Sequence, residues 1–347
     1  MIMLEDTEDA KLISELKEED TGIDSGHATE SEEDQDDEKI IVEEPYTRQI
    51  VWPNIIKFII LHCLALYGIT MLPSLSWQSW LFLLATYQVS GAGITAGAHR
   101  LWSHKTYKAK APLRLFLAIA NSMAGENSIY VWTRDHRTHH KCSETVGDPH
   151  NASRGFFFAH MGWLMVRKHP AVIKAGKTIN MADLETDPIV MFQHKHYIPC
   201  FLIASFIFPT IIPTLCWGES LTTAYFMAVV RYVAVLHFTW LVNSAAHFYG
   251  MKPYDMNIGP TENMAVSVLA MGEGFHNYHH TFPYDYTTSE WGFSFNLTTI
   301  FIDAMAAIGQ AYDLRRARQE TVKARVARTG VPELTRIYTK KGIIKEL

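Results

Sequence analysis

The sequence has few cysteines and no close pair of them. Its four cysteines, Cys63, Cys142, Cys200 and Cys216, are scattered along 347 residues without a Cys-x-x-Cys spacing. This pattern argues against both a disulfide framework and a thiolate zinc site. A cleavable signal peptide is not expected either, because the first apolar stretch begins only near residue 55 and would act as an uncleaved signal anchor.

Basic residues are nearly missing from the first 44 positions. This segment holds 18 of the 36 acidic residues and only three lysines, a net charge of −15, whereas the remainder has a net charge of +10. It contains no aromatic residue and few large apolar ones, so it cannot bury enough surface to offset its chain entropy. We therefore expect residues 1–50 to be a disordered acidic tail, either simply solvated or recognised by a partner or for turnover.

Charged residues are rare in four long apolar stretches. Each stretch is long enough to cross a bilayer, which takes about 20 helical residues. The predicted spans are about 53–72, 77–98, 197–217 and 221–246. The short connectors 73–76 and 218–220 contain no Lys or Arg, and they join the spans into two helical hairpins.

Basic charge marks one side of these spans. Segment 99–196 holds 14 Lys and Arg residues and segment 247–347 holds 11, and such an excess is typical of cytosolic segments. The sequence therefore predicts an all-α membrane protein with four transmembrane helices, both termini in the cytosol and a cytosolic helical cap. The cap comprises 99–196 and 247–330, within a transmembrane domain of 51–330, and 331–347 form a C-terminal tail. A soluble bundle with buried helices fits the span lengths and charge sidedness less well.

Three features inside the apolar segments need a structural explanation. Arg231 and His237 lie in the fourth span, where ionisable residues are costly, so we expect them to face inward. Three prolines in the third span predict kinks whose freed carbonyls are satisfied by neighbouring groups; they are Pro199, Pro209 and Pro213. Segment 112–132 is apolar but interrupted by charges, which predicts a helix lying at the membrane interface.

Histidine is abundant and patterned. Nine of the 17 histidines occur in H-R-L-W-S-H (99–104), H-R-T-H-H (136–140), H-N-Y-H-H (276–280) and N-S-A-A-H (243–247). They are His99, His104, His136, His139, His140, His247, His276, His279 and His280. On a helix, positions i, i+3 and i+4 share a face, so each H-x-x-H-H can aim several imidazoles at one point. The predicted topology brings all these groups to one membrane surface, which predicts a metal site.

The number of histidines indicates two ions. Zinc sites usually use about four protein ligands, whereas nine imidazoles suit two ions with four or five ligands each. Imidazole binds iron, copper and zinc alike, so the ligand type does not choose the metal. An oxidising dimetal centre beside a membrane tunnel would point to non-haem iron. Asn243, one turn before His247, is a further candidate that could reach a metal directly or through water.

These histidines occur together with R-G-F-F-F (154–158), V-R-K-H-P (166–170), G-I-T-A-G-A-H-R (93–100) and E-G-F-H-N-Y-H-H (273–280). From about Val51 to Gly330 the chain thereby resembles the animal stearoyl-CoA (acyl-CoA) desaturases. The resemblance implies two Fe2+ ions held by the nine histidines, with Asn243 holding a metal-bound water. It also implies an endoplasmic-reticulum enzyme that uses O2 and takes electrons from NADH through cytochrome b5 reductase and cytochrome b5. No nucleic-acid partner is expected.

The resemblance also implies a set of acyl-CoA contacts: Asn54, Asn127, Arg134, Asp135, Arg167, Lys168 and Trp240. The cations among them could pair with CoA phosphates, although ordinary cytosolic positive charge would explain them equally well. Tyr87 and Gly91 lie one turn apart in the second span, on the face expected to line the end of the acyl tunnel; ordinary helix packing is the alternative. Before Asn127 the chain has Ala-Gly-Glu (124–126) where family members commonly carry Phe-Gln, and the carboxylate of Glu126 could alter head-group binding.

The expected reaction is the introduction of a cis double bond into a saturated C16–C18 acyl-CoA, with Δ9 as the family's default position. The same oxidant could instead hydroxylate the chain or act at another carbon. A non-catalytic metal transporter is a different class of function, but its ligands should lie near the membrane midplane. A zinc hydrolase would need a glutamate base placed as in H-E-x-x-H, which these motifs lack.

Overall fold

The computed structural model describes residues 47–290 and 296–331. The predicted acyl-CoA and metal residues all fall within these ranges. The predicted acidic tail lies almost wholly outside the described residues, as does nearly all of the predicted C-terminal tail, so both remain predictions.

Within these ranges the protein is mainly helical. Its α-helices in chain order are α1 Trp52–Ile69, α2 Trp77–Ala92, α3 Ala111–Ala124, α4 Ile129–Cys142, α5 Phe156–His160, α6 Pro170–Lys177, α7 Ala182–Glu185, α8 Pro188–Lys195, α9 Tyr197–Leu202, α10 Phe208–Trp217, α11 Leu221–Asn243, α12 Ala245–Phe248, α13 Met264–Leu269, α14 His276–Thr281, α15 Leu297–Ala307 and α16 Gln319–Thr329. π-Helical turns occupy Gly93–Ser103 and Ile203–Ile207, and short 3-10 turns occupy Leu72–Ser74, Ala152–Arg154 and Gly162–Met165. Two short strands, β1 (Lys108–Ala109) and β2 (Ala311–Tyr312), pair antiparallel, with Lys108 opposite Tyr312.

Four helical segments are long and apolar enough to cross a membrane, which confirms the predicted number of spans. We refer to them as the first to fourth spans: Trp52–Ile69, Trp77–Ser103, Tyr197–Trp217 and Leu221–Phe248. The first span packs along the fourth. The second span is longer than the predicted 77–98, because its helix continues through the π-helical turns into the first histidine motif.

A serine at the end of each connector caps the N-terminus of the helix that starts the second or the fourth span. The Ser76 hydroxyl caps α2 by accepting from the backbone N–H of Ser79 at 3.3 Å, and the Ser220 hydroxyl caps α11 by accepting from that of Thr223 at 3.0 Å. The carboxylate of Glu219 accepts a 3.3 Å bond from the Ser76 hydroxyl and a 2.5 Å bond from the Ser79 hydroxyl. The two connectors are therefore tied to each other at one end of the bundle.

In the third span the regular α-helix gives way to π-helical turns at Ile203–Ile207, just before Pro209. Pro209 has no N–H, so the carbonyl of Ser205, four residues earlier, loses its usual helical partner. Arg231 from the fourth span donates to this carbonyl through Nη2 at 2.8 Å. Its Nη1 donates to the Met123 carbonyl at 2.8 Å and to the Ser90 hydroxyl at 2.7 Å. Arg231 is 1% exposed, which confirms that it faces inward and shows how a freed carbonyl is satisfied.

The expectation of one continuous helix over 112–132 is wrong. Helix α3 ends at Ala124 because Gly125 adopts a left-handed conformation (φ 70°) and its N–H bonds to the Asn121 carbonyl. The chain then turns, and the Ser128 hydroxyl caps α4 by accepting from the Val131 N–H at 3.3 Å. This turn separates an apolar helix from one that carries a histidine motif.

Candidate metal centre

Four elements carry the nine patterned histidines. His99 lies in the π-helical end of the second span and His104 directly follows it. The H-R-T-H-H motif forms the last turns of α4, while α14 begins with H-N-Y-H-H. His247 lies on α12, at the end of the fourth span.

The structure brings these histidines together in two groups. Within each group the ligand nitrogens lie within 4.8 Å of one another. The first histidine group consists of His99, His104, His136, His140 and His279. The second histidine group consists of His139, His247, His276 and His280. All nine patterned histidines are therefore used, and each belongs to one group.

The Nε2 atoms of neighbouring rings point at each other. In the first group the Nε2–Nε2 separations are 2.8 Å for His104–His136, 3.0 Å for His99–His279 and 3.0 Å for His140–His279. In the second group they are 3.1 Å for His247–His276, 3.2 Å for His276–His280 and 3.3 Å for His139–His280. Metal–nitrogen bonds of about 2.1 Å place adjacent ligand atoms about 3.0–3.4 Å apart, so both groups fit a bound metal ion.

Each H-x-x-H-H motif aims two of its rings at one group and the third ring at the other. On α4, His136 and His140 join the first group while His139 joins the second. On α14 the division is reversed, since His276 and His280 join the second group and His279 the first. At about 100° per residue, i+4 lies about 40° to one side of i and i+3 about 60° to the other. Each motif therefore contributes ligands to both groups.

Burial favours the neutral form of six of these imidazoles. For six of them, burial first and the neighbouring histidines second hold the pKa well below its ordinary value; they are His104, His136, His140, His276, His279 and His280. A neutral imidazole has a free lone pair, which is the form that binds a metal. The residues present therefore fit a metal centre at neutral pH.

An apolar cavity adjoins both groups. Its wall includes His99 and His136 of the first group, and His139 and His276 of the second. Asn243 also lines it, and its role towards a metal stays a prediction. Tyr87 and Gly91 lie in the wall of the same cavity, and their role at the end of an acyl tunnel stays a prediction.

Three predicted substrate contacts cluster outside the spans. Lys168 Nζ lies 2.9 Å from Asp135 Oδ2, and Arg134 Nε lies 3.3 Å from Asp135 Oδ1. Burial alone would raise the pKa of Asp135, but the charges of Lys168 and Arg134 lower it. The three residues therefore form a charged cluster with Asp135 ionised. Arg167 immediately precedes Lys168 and follows Val166, which pairs with Ile50 in a short antiparallel bridge.

The other predicted contacts are less closely grouped. Asn54 donates to the Leu164 carbonyl at 2.9 Å, one turn before Phe58 on the same helix. Trp240, which is 4% exposed, packs edge-on against Phe58 with ring centroids 5.7 Å apart. The Asn127 N–H donates to the Tyr197 hydroxyl at 2.9 Å.

His237, which is predicted to face inward, contacts two further histidines, His62 and His160, whose apolar or interfacial sequence contexts suggest structural roles. His62 Nε2 lies 2.9 Å from His237 Nε2, and His237 Nδ1 lies 3.0 Å from His160 Nε2. These bonds connect the first and fourth spans to α5, which supports the structural interpretation.

Sequence reasoning placed Glu126 near the head group and missed its proximity to the cavity. Its Oε2 accepts a 3.3 Å bond from Trp132 Nε1, and its side chain also bonds to Thr239. Trp132 and Thr239 both line the cavity. The signal available in the sequence was the unusual Ala-Gly-Glu at 124–126, but its location beside the cavity required the fold.

Comparison with known proteins places this site in a family. The fatty acid desaturase family matches residues 75–291. The chain belongs to the fatty acid desaturase family. This desaturase is 56% identical to "Stearoyl-CoA desaturase" of Homo sapiens over 283 residues, 81% of this chain and 79% of the human protein. It is also 56% identical to "Acyl-CoA desaturase 3" of Mus musculus over 287 residues, 82% of this chain and 80% of the mouse protein.

Family membership explains why a membrane protein has so many buried histidines. The desaturase is a multi-pass membrane oxidoreductase whose two histidine groups could each hold a metal ion. The family is metal-dependent, and the cavity beside the groups is apolar, as a site for a fatty acyl chain requires.

Proposed function

We propose that this desaturase introduces a cis Δ9 double bond into saturated C16–C18 acyl-CoA. The proposal includes two Fe2+ ions, one in each histidine group, O2 as oxidant, and electrons from NADH through cytochrome b5 reductase and cytochrome b5. The observation that carries it is the pair of histidine groups beside an apolar cavity, in a chain similar to named stearoyl-CoA desaturases.

The chain's own residues perform the binding and positioning. A bound pair of iron ions would supply activation of O2 for hydrogen removal from an unactivated methylene. The nine histidines would hold the ions, and Asn243, which lines the cavity, would reach one of them through a water. The apolar wall would exclude other water from the acyl chain and present one pair of methylenes to the centre.

The charged cluster would hold the other end of the substrate. Arg134, Arg167 and Lys168 are suited to CoA phosphates, because charge-assisted hydrogen bonds to phosphate are strong. The remaining proposed contacts are Asn54, Asn127, Asp135 and Trp240. Holding the head group at a fixed distance from the histidines would select the carbon pair that is oxidised, and this distance is the proposed basis of Δ9 regiochemistry.

The size of the residues at the cavity's inner end would set the accepted chain length. A Cβ added at Gly91 would lie 2.3 Å from Met271 Sδ, so a side chain there must displace Met271 into the cavity or occupy it. Tyr87, one turn earlier, lines the same region. We propose that these two positions close the acyl tunnel.

We further propose that the protein resides in the endoplasmic-reticulum membrane with both termini in the cytosol. The supporting observation is the basic charge of segments 99–196 and 247–347, which contrasts with the uncharged or acidic connectors. Cytochrome b5 would then approach the same side as the histidine groups.

Expression in yeast lacking its own acyl-CoA desaturase tests the proposed reaction. Mass spectrometry with double-bond localisation should find new Δ9 C16 and C18 monoenes that depend on iron and disappear in His139→Ala. Gly91→Leu should shift the products towards shorter chains while keeping the double bond at Δ9.

Other products would change the proposal in defined ways. If the products were hydroxy acids, or had the double bond at another position, the proposed oxidising metal centre would stand but the proposed Δ9 product would be wrong. Absence of any new lipid from membrane-inserted protein, combined with metal movement across the membrane, would favour transport instead.

A further inference from the structure

Each histidine group has a buried carboxylate behind one of its rings. In the second group, His139 Nδ1 bonds to Asp148 Oδ1 at 2.9 Å. In the first group, His99 Nδ1 makes a close but bent contact with Glu273 Oε2, also at 2.9 Å. All four residues are buried, with Asp148 2% and Glu273 6% exposed. The two contacts occur on the ring nitrogen that faces away from the neighbouring histidines.

Both carboxylates are held in their ionised form. Asp148 accepts from the backbone N–H groups of Glu144 at 2.9 Å and His150 at 3.1 Å. Glu273 Oε1 accepts from Arg100 Nε at 3.1 Å and Nη2 at 2.9 Å. An ionised carboxylate can only accept hydrogen bonds, so the proton of each facing ring lies on Nδ1. The Nε2 lone pair is then directed towards the centre of its group.

The two carboxylates carry the same negative charge, but neighbouring groups compensate it to different extents. Arg100 neutralises Glu273 through two hydrogen bonds, whereas Asp148 is held by neutral backbone donors. The negative charge of Asp148 therefore remains available to compensate a cation in the second group. Glu144 adds a contact of 3.3 Å to His247 Nδ1, but its side chain is 34% exposed, so solvent screens it more strongly.

We propose that Asp148 and Glu273 are positioning residues, one for each histidine group. Each fixes the tautomer and orientation of one ligand ring, and Asp148 in addition supplies charge that stabilises a cation in the second group. Carboxylates behind metal-binding imidazoles typically contribute about 10–100-fold to metal affinity. This inference rests on the proposed function, since it assumes that each group holds an iron ion.

Iron binding by the purified full-length chain tests this inference without relying on activity. The variants are Asp148→Asn, which keeps the shape but removes the charge, Asp148→Glu, which keeps the charge, and Glu273→Gln. Asp255→Asn serves as the control, because Asp255 is also a buried carboxylate of the cap but bonds to Asn257 and Arg325. Iron per chain is measured after dialysis against a chelator, and Mössbauer spectra of 57Fe-loaded protein report each position.

Wild type and Asp255→Asn should each retain two ions with two quadrupole doublets. Asp148→Asn should retain one, with about 10–100-fold weaker binding at the affected position, and Asp148→Glu should regain the second. Glu273→Gln should lose or shift the other doublet.

The outcomes separate this inference from the proposed function. A wild-type chain that binds no iron would reject the two-iron proposal itself. Two retained ions and unchanged doublets in Asp148→Asn would overturn only the inference. Loss of both ions from Asp148→Asn, or loss of the same doublet in both variants, would also overturn it, because each carboxylate contacts one group.

Discussion

At the scale of single residues, Glu126 is unusual because it places a carboxyl group beside an apolar cavity. Its carboxyl bonds to Trp132 and Thr239 in the wall of the apolar cavity. Burial raises its pKa to about 8, although both hydrogen bonds act in the opposite direction. Glu126 therefore carries a proton at neutral pH, and the cavity wall remains uncharged there.

This proton makes stability depend on pH. The pKa of Glu126 in the folded protein lies above the ordinary value of 4.5. The contribution of protonated Glu126 to the free energy of unfolding is therefore fully present below about pH 4.5 and is lost as the pH rises through about 8. For this single group, the free energy of unfolding can fall by at most about 1.4 kcal/mol per pH unit. Glu126→Gln should remove this loss, so its melting temperature in detergent should exceed that of wild type increasingly from pH 5.5 to 8.5.

An exposed carboxyl provides the control for that experiment. Glu320→Gln on the surface of α16 should give a melting profile parallel to that of wild type, because its environment changes little on folding. Parallel profiles for Glu126→Gln and wild type would show that Glu126 ionises normally in the folded protein.

Sequence spacing identified all nine histidines of the two groups, but it could not divide them between groups. The division depends on how α4 and α14 face each other, which brings His139 to His280 and His140 to His279. In the sequence, Asp148 belongs to the tripeptide Asp-Pro-His (148–150), which indicates only a turn. Its contact with His139 forms because the loop after α4 folds back, and no local pattern encodes that return.

At the scale of elements, the second span ends later than the sequence predicted. Hydropathy ends the span near residue 98, yet the π-helical turns continue to Ser103. These turns pass against α3, and Gly93 is the point of closest approach. A Cβ at Gly93 would lie 2.2 Å from both the Ala120 carbonyl carbon and the Asn121 nitrogen. Neither atom belongs to a side chain that could rotate away.

Gly93→Ala should therefore force α3 away from the second span. Overpacking of this kind typically costs about 1–3 kcal/mol, and the second span, which would be strained at this contact, also carries His99. We expect a lower melting temperature and a smaller iron content, measured on the same purified sample.

Gly176→Ala is the matched control for this substitution. Gly176 lies in α6, and the atoms nearest to an added Cβ are 3.8 Å away or more. Alanine should be neutral there or stabilise the helix by about 0.5–1 kcal/mol. Equal effects at the two glycines would mean that the contact between α3 and the second span is not tight.

At the scale of the whole molecule, span direction explains why the histidines meet. The second span runs from its connector towards His99 and the fourth runs from its connector towards His247. At about 1.5 Å per residue, each histidine lies more than 30 Å along its helix from the connectors. The two connectors are joined through Glu219 and Ser76, so both histidines lie at the opposite end. Charge and span length alone predicted this arrangement.

The proposed orientation makes a prediction about glycosylation, which takes place in the lumen. The native glycosylation sequons at Asn151 and Asn296 should remain unmodified. Both asparagines are also buried, so the absence of glycosylation there would not by itself show on which side of the membrane they lie. Two exposed reporters separate the explanations: a flexible Gly/Ser loop containing Asn-Ser-Thr in connector 218–220, and the same loop after Leu347. In microsomes, only the connector reporter should show a mobility shift that endoglycosidase H reverses. Modification of the C-terminal reporter instead would place the histidine groups in the lumen, away from cytosolic cytochrome b5, and would reject the proposed electron route even if the metal centre were correct.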